Sequence, residues 1–147
     1  VLIVVGGVLA LLGVGAAITV YVLYDRATTP DRSAPDVVVD NYLRAFLVDR
    51  NDTRAELFTC ETGAQLEPVK SLRAEVEDRE SKFGVNVRVS WGPLTRTPSG
   101  MGESVATTLT IAGSADGVPR SSRREDWVFD VIEDGDGWRV CGGVKAA

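Results

Sequence analysis

The chain contains no histidine, only two cysteines and one methionine, and none of its Asp, Glu, Lys or Arg residues falls within the first 24 positions. Each absence removes a class of function. Without histidine no Ser-His or Cys-His pair can activate a nucleophile, and Ser90, Ser121 and Ser122 lack any G-x-S-x-G setting. Cys60 and Cys141 cannot supply the roughly four N or S ligands of a structural zinc site and have no C-x-x-C spacing. No metal or other cofactor is implied. A formal net charge of -5 argues against nucleic acid as the main partner. The one basic cluster, RSSRRE at 120–125, meets Asp126 at once and reads as the solvated start of a strand.

The missing charge at the N-terminus is also the strongest positive signal. At about 1.5 Å rise per residue, residues 1–24 reach roughly 36 Å as a helix, enough to cross a hydrocarbon core of about 30 Å with some tilt. Tyr21 and Tyr24, followed by Asp25 and Arg26, read as an interfacial aromatic belt ending in water. A cleaved secretory signal would have an apolar region of only about 7 to 15 residues before an A-x-A site, and no such triplet is near. Residues 1–24 are therefore read as a transmembrane helix with the lipid bilayer as its partner. The run begins at Val1 with no basic residue ahead of it, so a cytoplasmic segment is expected to precede it. Gly6, Ala10, Gly13 and Ala17 recur along one helical stripe and would let a second membrane helix approach closely. The ordinary glycine content of membrane helices is the alternative explanation.

With zinc set aside, Cys60 and Cys141 are read as a disulfide formed in an oxidising compartment, which places the domain outside the cytoplasm. Two unpaired buried cysteines are the alternative.

Residues 25–34, DRATTPDRSA, read as a polar tether, and residues 35–147 suit one compact domain. Ser33 and Asp36 form an S-x-x-D start with Pro35 in the first turn, and Val38, Val39, Tyr42, Leu43, Phe46 and Leu47 then follow a helical period. Asp52 is expected to cap a shorter helix running to Cys60. Pro68 opens a third, with Leu66, Val69, Leu72, Val76 and Phe83 on one side. After Gly84 the period becomes two, with Val85, Val87, Val89 and Trp91 on one face. A loop over 92–102 leads to a second strand carrying Val105, Thr107, Leu109 and Ile111. A third places Trp127, Phe129 and Val131 opposite Val128, Asp130 and Ile132, and the 134–137 turn, DGDG, precedes a last strand over 138–141. The expected architecture is α+β, three helices packed on a curved four-stranded antiparallel sheet.

This order of elements carries a resemblance. NYLRAFLVDRNDTRAELFTC (residues 41–60) resembles the opening of the NTF2-like, or cystatin-like, domains of actinobacterial single-pass membrane proteins, Mce-associated proteins among them. DWVFDVIEDGDGWRVC (residues 126–141) is similar to their closing hairpin. The resemblance implies a cone-shaped extracytoplasmic domain, and the wider superfamily includes VirB8-type secretion domains, small isomerases and dehydratases, and non-catalytic binding domains. Fold alone does not choose among these.

An enzyme on such a cone would need acid and base groups converging inside it, and Asp40, Tyr42 and Asp130 are the candidates. Neighbouring helical positions do not share a face, and Asp130 alternates away from Trp127 and Phe129, so convergence is not expected. DGDG suggests a calcium loop but lacks the third acidic ligand and the final Glu, which favours a hairpin turn. Tyr42, Phe46, Trp91, Trp127 and Phe129 are candidates to line a pocket for a lipid or other apolar molecule, or else they fill the core. The sequence therefore points to a non-catalytic interaction domain whose partners are other envelope membrane proteins in a transport or secretion complex, with self-association as a further possibility.

Overall fold

The computed structural model describes residues 14, 16–20 and 29–147. Residues 14 and 16–20 are helical and exposed, and Ala17 is among them. Gly6, Ala10 and Gly13, and with them most of the expected membrane span, lie outside the described residues. Among the described residues no helix is long and apolar enough to cross a membrane.

Asp31–Ala147 form a compact unit. Helix α1 spans Pro35–Leu43, with Pro35 in the first turn as expected. Ser33 does not cap it: its backbone N–H and Oγ both donate to Asp31 Oδ1, at 3.1 and 2.7 Å. The helix does not continue to Leu47 in α form, because Arg44–Val48 widen into a π turn closed by the Asp49 N–H on the Arg44 carbonyl at 2.9 Å. That turn buries three consecutive residues, Ala45, Phe46 and Leu47. Helix α2, Asp52–Glu56, is capped by Asn51 rather than Asp52, the Asn51 side chain accepting from the Arg54 N–H at 3.0 Å. Helix α3, Glu67–Phe83, ends at Gly84, whose φ of 61° suits a left-handed cap. Leu66, Val69, Leu72 and Val76 are buried as expected, but Phe83, in the last turn of α3, is exposed.

Five strands follow where four were expected: β1 Asn86–Trp91, β2 Thr95–Ser99, β3 Gly102–Ala115, β4 Val118–Glu133 and β5 Trp138–Lys145. The additional strand is β2, inside the stretch read as a loop on its prolines and glycines. It lies at the sheet edge, where Pro98 costs no ladder bond on the solvent side. The order is β1-β3-β4-β5, and β1 and β2 pair end to end along the same side of β3, β1 with Leu109 to Ser114 and β2 with Gly102 to Ala106. Asp116 and Gly117 turn β3 into β4 with φ of 53° and 75°, the positive pair that a primed hairpin turn needs. Register shifts at Gly113/Ser114 and Asp130/Val131 bend the sheet.

The core fills the space between helices and sheet. Val38, Val39, Tyr42, Leu43, Val69 and Val76 meet Val87, Val89, Val105, Leu109, Ile111, Phe129, Val131 and Val140. Trp127, Phe129 and Val131 share the buried face and Asp130 faces out, as the alternation predicts.

Cys60 and Cys141 form a disulfide with 5.0 Å between Cα atoms. It fastens the segment after α2 to the outer edge of β5. Cys60 N–H donates to the Val140 carbonyl, Val140 N–H to Phe58, and Gln65 N–H to Cys141, at 3.0, 2.8 and 2.8 Å. The strap covers a strand edge that would otherwise offer unpaired backbone groups. Residues 31–34, the end of the expected tether, also dock here: Trp138 N–H donates to the Arg32 carbonyl at 2.9 Å, and Arg32 Nη1 to the Leu57 carbonyl at 3.0 Å.

Candidate functional site

The five aromatic candidates do not share one cavity. Tyr42 and Phe46 stack at 5.6 Å on the helical side, and Trp127 and Phe129 stack at 6.2 Å on the sheet. The middle of the cone is closed by Tyr42, Leu43, Val105, Leu109 and Phe129, none more than 2% exposed. Trp91 is only partly buried and packs at the margin of the core. Open clefts border this filled centre, and the aromatic candidates line three of them. Tyr42 and Phe46 line one of about 490 Å³ between the helices. Trp91 and Trp127 border another of about 560 Å³ with Ser90, Thr108, Thr110 and Asp126, and Trp91 a third of about 630 Å³ with Asp36, Asp40 and Arg44.

The acid and base candidates are likewise dispersed. Asp40 accepts the Trp91 indole N–H at 2.8 Å and pairs with Arg44 at 3.4 Å, and the Arg44 guanidinium lies 5.8 Å from the Trp91 ring centre. Tyr42 is buried, which pushes its phenol pKa up against the opposing pull of the Arg73 charge. Asp130 is exposed and accepts from Ser104 Oγ at 3.3 Å.

The DGDG turn closes β4 onto β5, with positive φ at Gly135 and Gly137. Its carboxylates face a cation already present in the chain: the nearly buried Arg139 pairs with Asp134, lies 3.9 Å from Asp136, and donates to the Thr59 carbonyl at 3.2 Å. Arg139 thus joins the turn to the strap. Among the described residues no group of His, Cys, Asp or Glu side chains is arranged to hold a metal ion.

Two groups escaped the sequence reading. Glu125, taken as the start of a solvated strand, is only 9% exposed at its side chain. It receives the Trp127 indole N–H at 3.2 Å, Lys145 Nζ at 3.1 Å and Arg123 Nε at 3.0 Å, and Arg123 reaches on to Glu75 of α3 at 2.7 Å. Burial raises the Glu125 pKa, but the bonds from Lys145 and Trp127 and the charge of Arg123 outweigh it and hold the carboxyl below its usual value. The signal was available, because Glu125 is in phase with Trp127, Phe129 and Val131. Arg73 is the second. Its guanidinium lies 4.7 Å from the Phe46 ring centre and pairs with Asp52 and with Glu77 at 3.0 Å. Burial lowers its pKa, but the Glu77 and Asp52 bonds prevail and raise it. No local pattern announces that cluster, which joins two helices.

No protein-family model matches the chain, and no curated protein sequence does. Solved structures do match. A cystatin-like fold protein from Caulobacter vibrioides has 12% identity and a TM-score of 0.51, over 75% of this chain and 85% of that one. A putative ketosteroid isomerase from Shewanella frigidimarina has 13% identity and a TM-score of 0.52, over 74% and 91%. The S. rosetta CaMKII hub has 14% identity and a TM-score of 0.50, over 78% and 97%. At such identities the likeness concerns the fold alone. The unit has an α+β fold of the cystatin-like, or NTF2-like, kind.

Proposed function

We propose that this chain is a membrane-anchored, extracytoplasmic, non-catalytic interaction domain, an accessory or assembly component of an envelope transport or secretion complex. The observation that carries the reading is the filled cone: Tyr42, Leu43, Leu109 and Phe129 occupy the space where an enzyme of this shape would hold substrate. Asp40, Tyr42 and Asp130 stand in separate surroundings, which removes support from a small lyase or isomerase. The closed centre also weakens a lipid site inside the cone.

Support for the location comes from the uncharged run at 1–24 and the Cys60–Cys141 disulfide, a bond characteristic of oxidising compartments. The resemblance of residues 41–60 and 126–141 to Mce-associated membrane proteins points the same way. Self-association is one form such an interaction takes.

Chemical cross-linking in native membranes, followed by mass spectrometry, tests the proposal. The chain is expected in the membrane fraction, joined to other envelope proteins or to itself. Recovery only as an uncoupled monomer would overturn it.

A further inference from the structure

Helix α1, the π turn, α2, the disulfide-fastened strap and α3 as far as Glu77 border the open cleft of about 490 Å³. Its volume lies in the range of small-molecule sites, roughly 300 to 1,000 Å³. Tyr42, Phe46, Ala55 and Leu66 give it buried apolar walls, and no sheet residue lines it. The polar rim is largely self-matched. Arg73 is neutralised by Asp52 and Glu77, and Lys70 by Glu67 at 3.0 Å. Two groups are left over. Glu56 has no ion pair among the described residues, and the Tyr42 hydroxyl, on a residue 2% exposed, makes no hydrogen bond to them yet is not one of the fully enclosed unpartnered atoms, so it opens onto the water of the cleft.

We propose that this cleft binds a small apolar molecule, uncharged or cationic, with a hydrogen-bond acceptor at the end that reaches Tyr42. The apolar walls account for the body of the ligand and the phenol for its acceptor. An anion is disfavoured because both cations of the rim are already paired and the remaining charge, Glu56, is negative. Because burial raises the phenol pKa, Tyr42 is a donor throughout the physiological range. Thr59 and Leu66 flank the strap that Cys60–Cys141 fixes, so one wall is held in place before a ligand arrives. This site lies on the helical side of the filled cone and shares Tyr42 with it, the ring packing into the centre.

The experiment uses the full chain, labelled with 15N, titrated with 2-acetylnaphthalene as the neutral probe and 2-naphthoate as the anionic one. The ketone is expected to shift the amides of Ala55, Ala64 and Ala74 saturably. Tyr42→Phe should weaken it about fivefold, as for one lost hydrogen bond. Ala74→Phe, at an exposed rim position, should abolish the shifts at Ala55 and Ala64 while amides of the sheet keep their positions. The naphthoate should bind about tenfold more weakly or not at all. Absence of saturable shifts at those three alanines, unchanged binding in Ala74→Phe, or equal affinity for the two probes would overturn the proposal. Should Tyr42→Phe disturb the fold, Ala74→Phe and the probe pair decide the matter.

Discussion

The indole Nε1 of Trp91 donates a 2.8 Å hydrogen bond to Oδ1 of Asp40, tying the end of β1 to the middle of α1. Asp40 is thereby engaged twice, by Trp91 and by Arg44, and serves as a fastening between layers. A charged acceptor of this kind contributes about 1.5 to 3 kcal/mol when buried, and at 36% side-chain exposure about 1 kcal/mol is expected. Asp40→Ala should therefore lower unfolding stability by about 1 kcal/mol, whereas Asp40→Asn, which keeps an acceptor, should lose less than half of that. Urea unfolding followed by tryptophan fluorescence compares them. Equal losses would assign the effect to the charge rather than to the indole bond.

The disulfide closes a loop of 81 positions, for which chain entropy gives about 4.5 kcal/mol. Replacing both Cys60 and Cys141 by Ser should cost about 2 to 4 kcal/mol and raise hydrogen exchange first at positions 60 and 65, whose N–H groups pair with β5. Intact mass without reductant should be two hydrogens below the reduced form. Free thiols in protein taken from the envelope would contradict the assignment of compartment.

Glu125 makes acid stability a local matter. Its folded pKa lies below the ordinary 4.5, so its contribution is present above that value and fades as the pH falls through the lower, folded pKa. At neutral pH Glu125→Gln should be about 1 kcal/mol less stable than the parent, given the partly exposed cations around it. The difference should shrink as the pH falls through the depressed folded pKa, where the parent carboxyl takes up its proton. Denaturant midpoints at pH 7 and over a series of acidic pH values measure this, and a gap that stays constant down to acid unfolding would place the effect elsewhere.

Gly143 lies where β5 passes under the core. A Cβ there would stand 2.9 Å from both Cδ1 and Cε1 of Phe129 and from Cγ2 of Val69. Two fully buried side chains would have to move, so Gly143→Ala should cost about 1 to 3 kcal/mol, as overpacking does. Thermal unfolding measures the change, and a neutral substitution would mean that the Val69–Phe129 layer yields more than its burial implies.

Much of the fold was legible because the periodicities are strong. Val85 to Trp91 alternate cleanly, and the Asp116-Gly117 turn and the DGDG turn satisfy a local backbone demand that the residues themselves disclose. The departures have specific causes. β2 was hidden because Pro98 and the flanking glycines signal a loop unless a neighbouring edge is known. The π turn at Arg44–Val48 leaves an i, i+3, i+4 pattern almost unchanged. Ser33 and Asp52 have the right chemistry for caps, but Ser33 is taken up by Asp31 and leaves α1 without a side-chain cap, while Asn51 caps α2.

The candidate site was less legible. Each aromatic residue was identified as apolar lining, yet its destination depends on packing between distant segments. Trp91 is turned to Asp40 across 51 positions, and Arg73 is seated on Phe46 by the crossing of two helices. Neither pairing leaves a mark in local sequence.

The proposal that this domain acts by contact with a neighbour in the envelope is tested most directly by photo-cross-linking from within the native membrane. Photoreactive residues placed one at a time at Phe83, Met101 and Val144, which are 71, 97 and 51% exposed, sample three separate parts of the surface. The account predicts a discrete adduct with another envelope protein, or with a second copy of the chain, from at least one of these positions. No adduct from any position, in cells where the chain is made at its natural level, would contradict it.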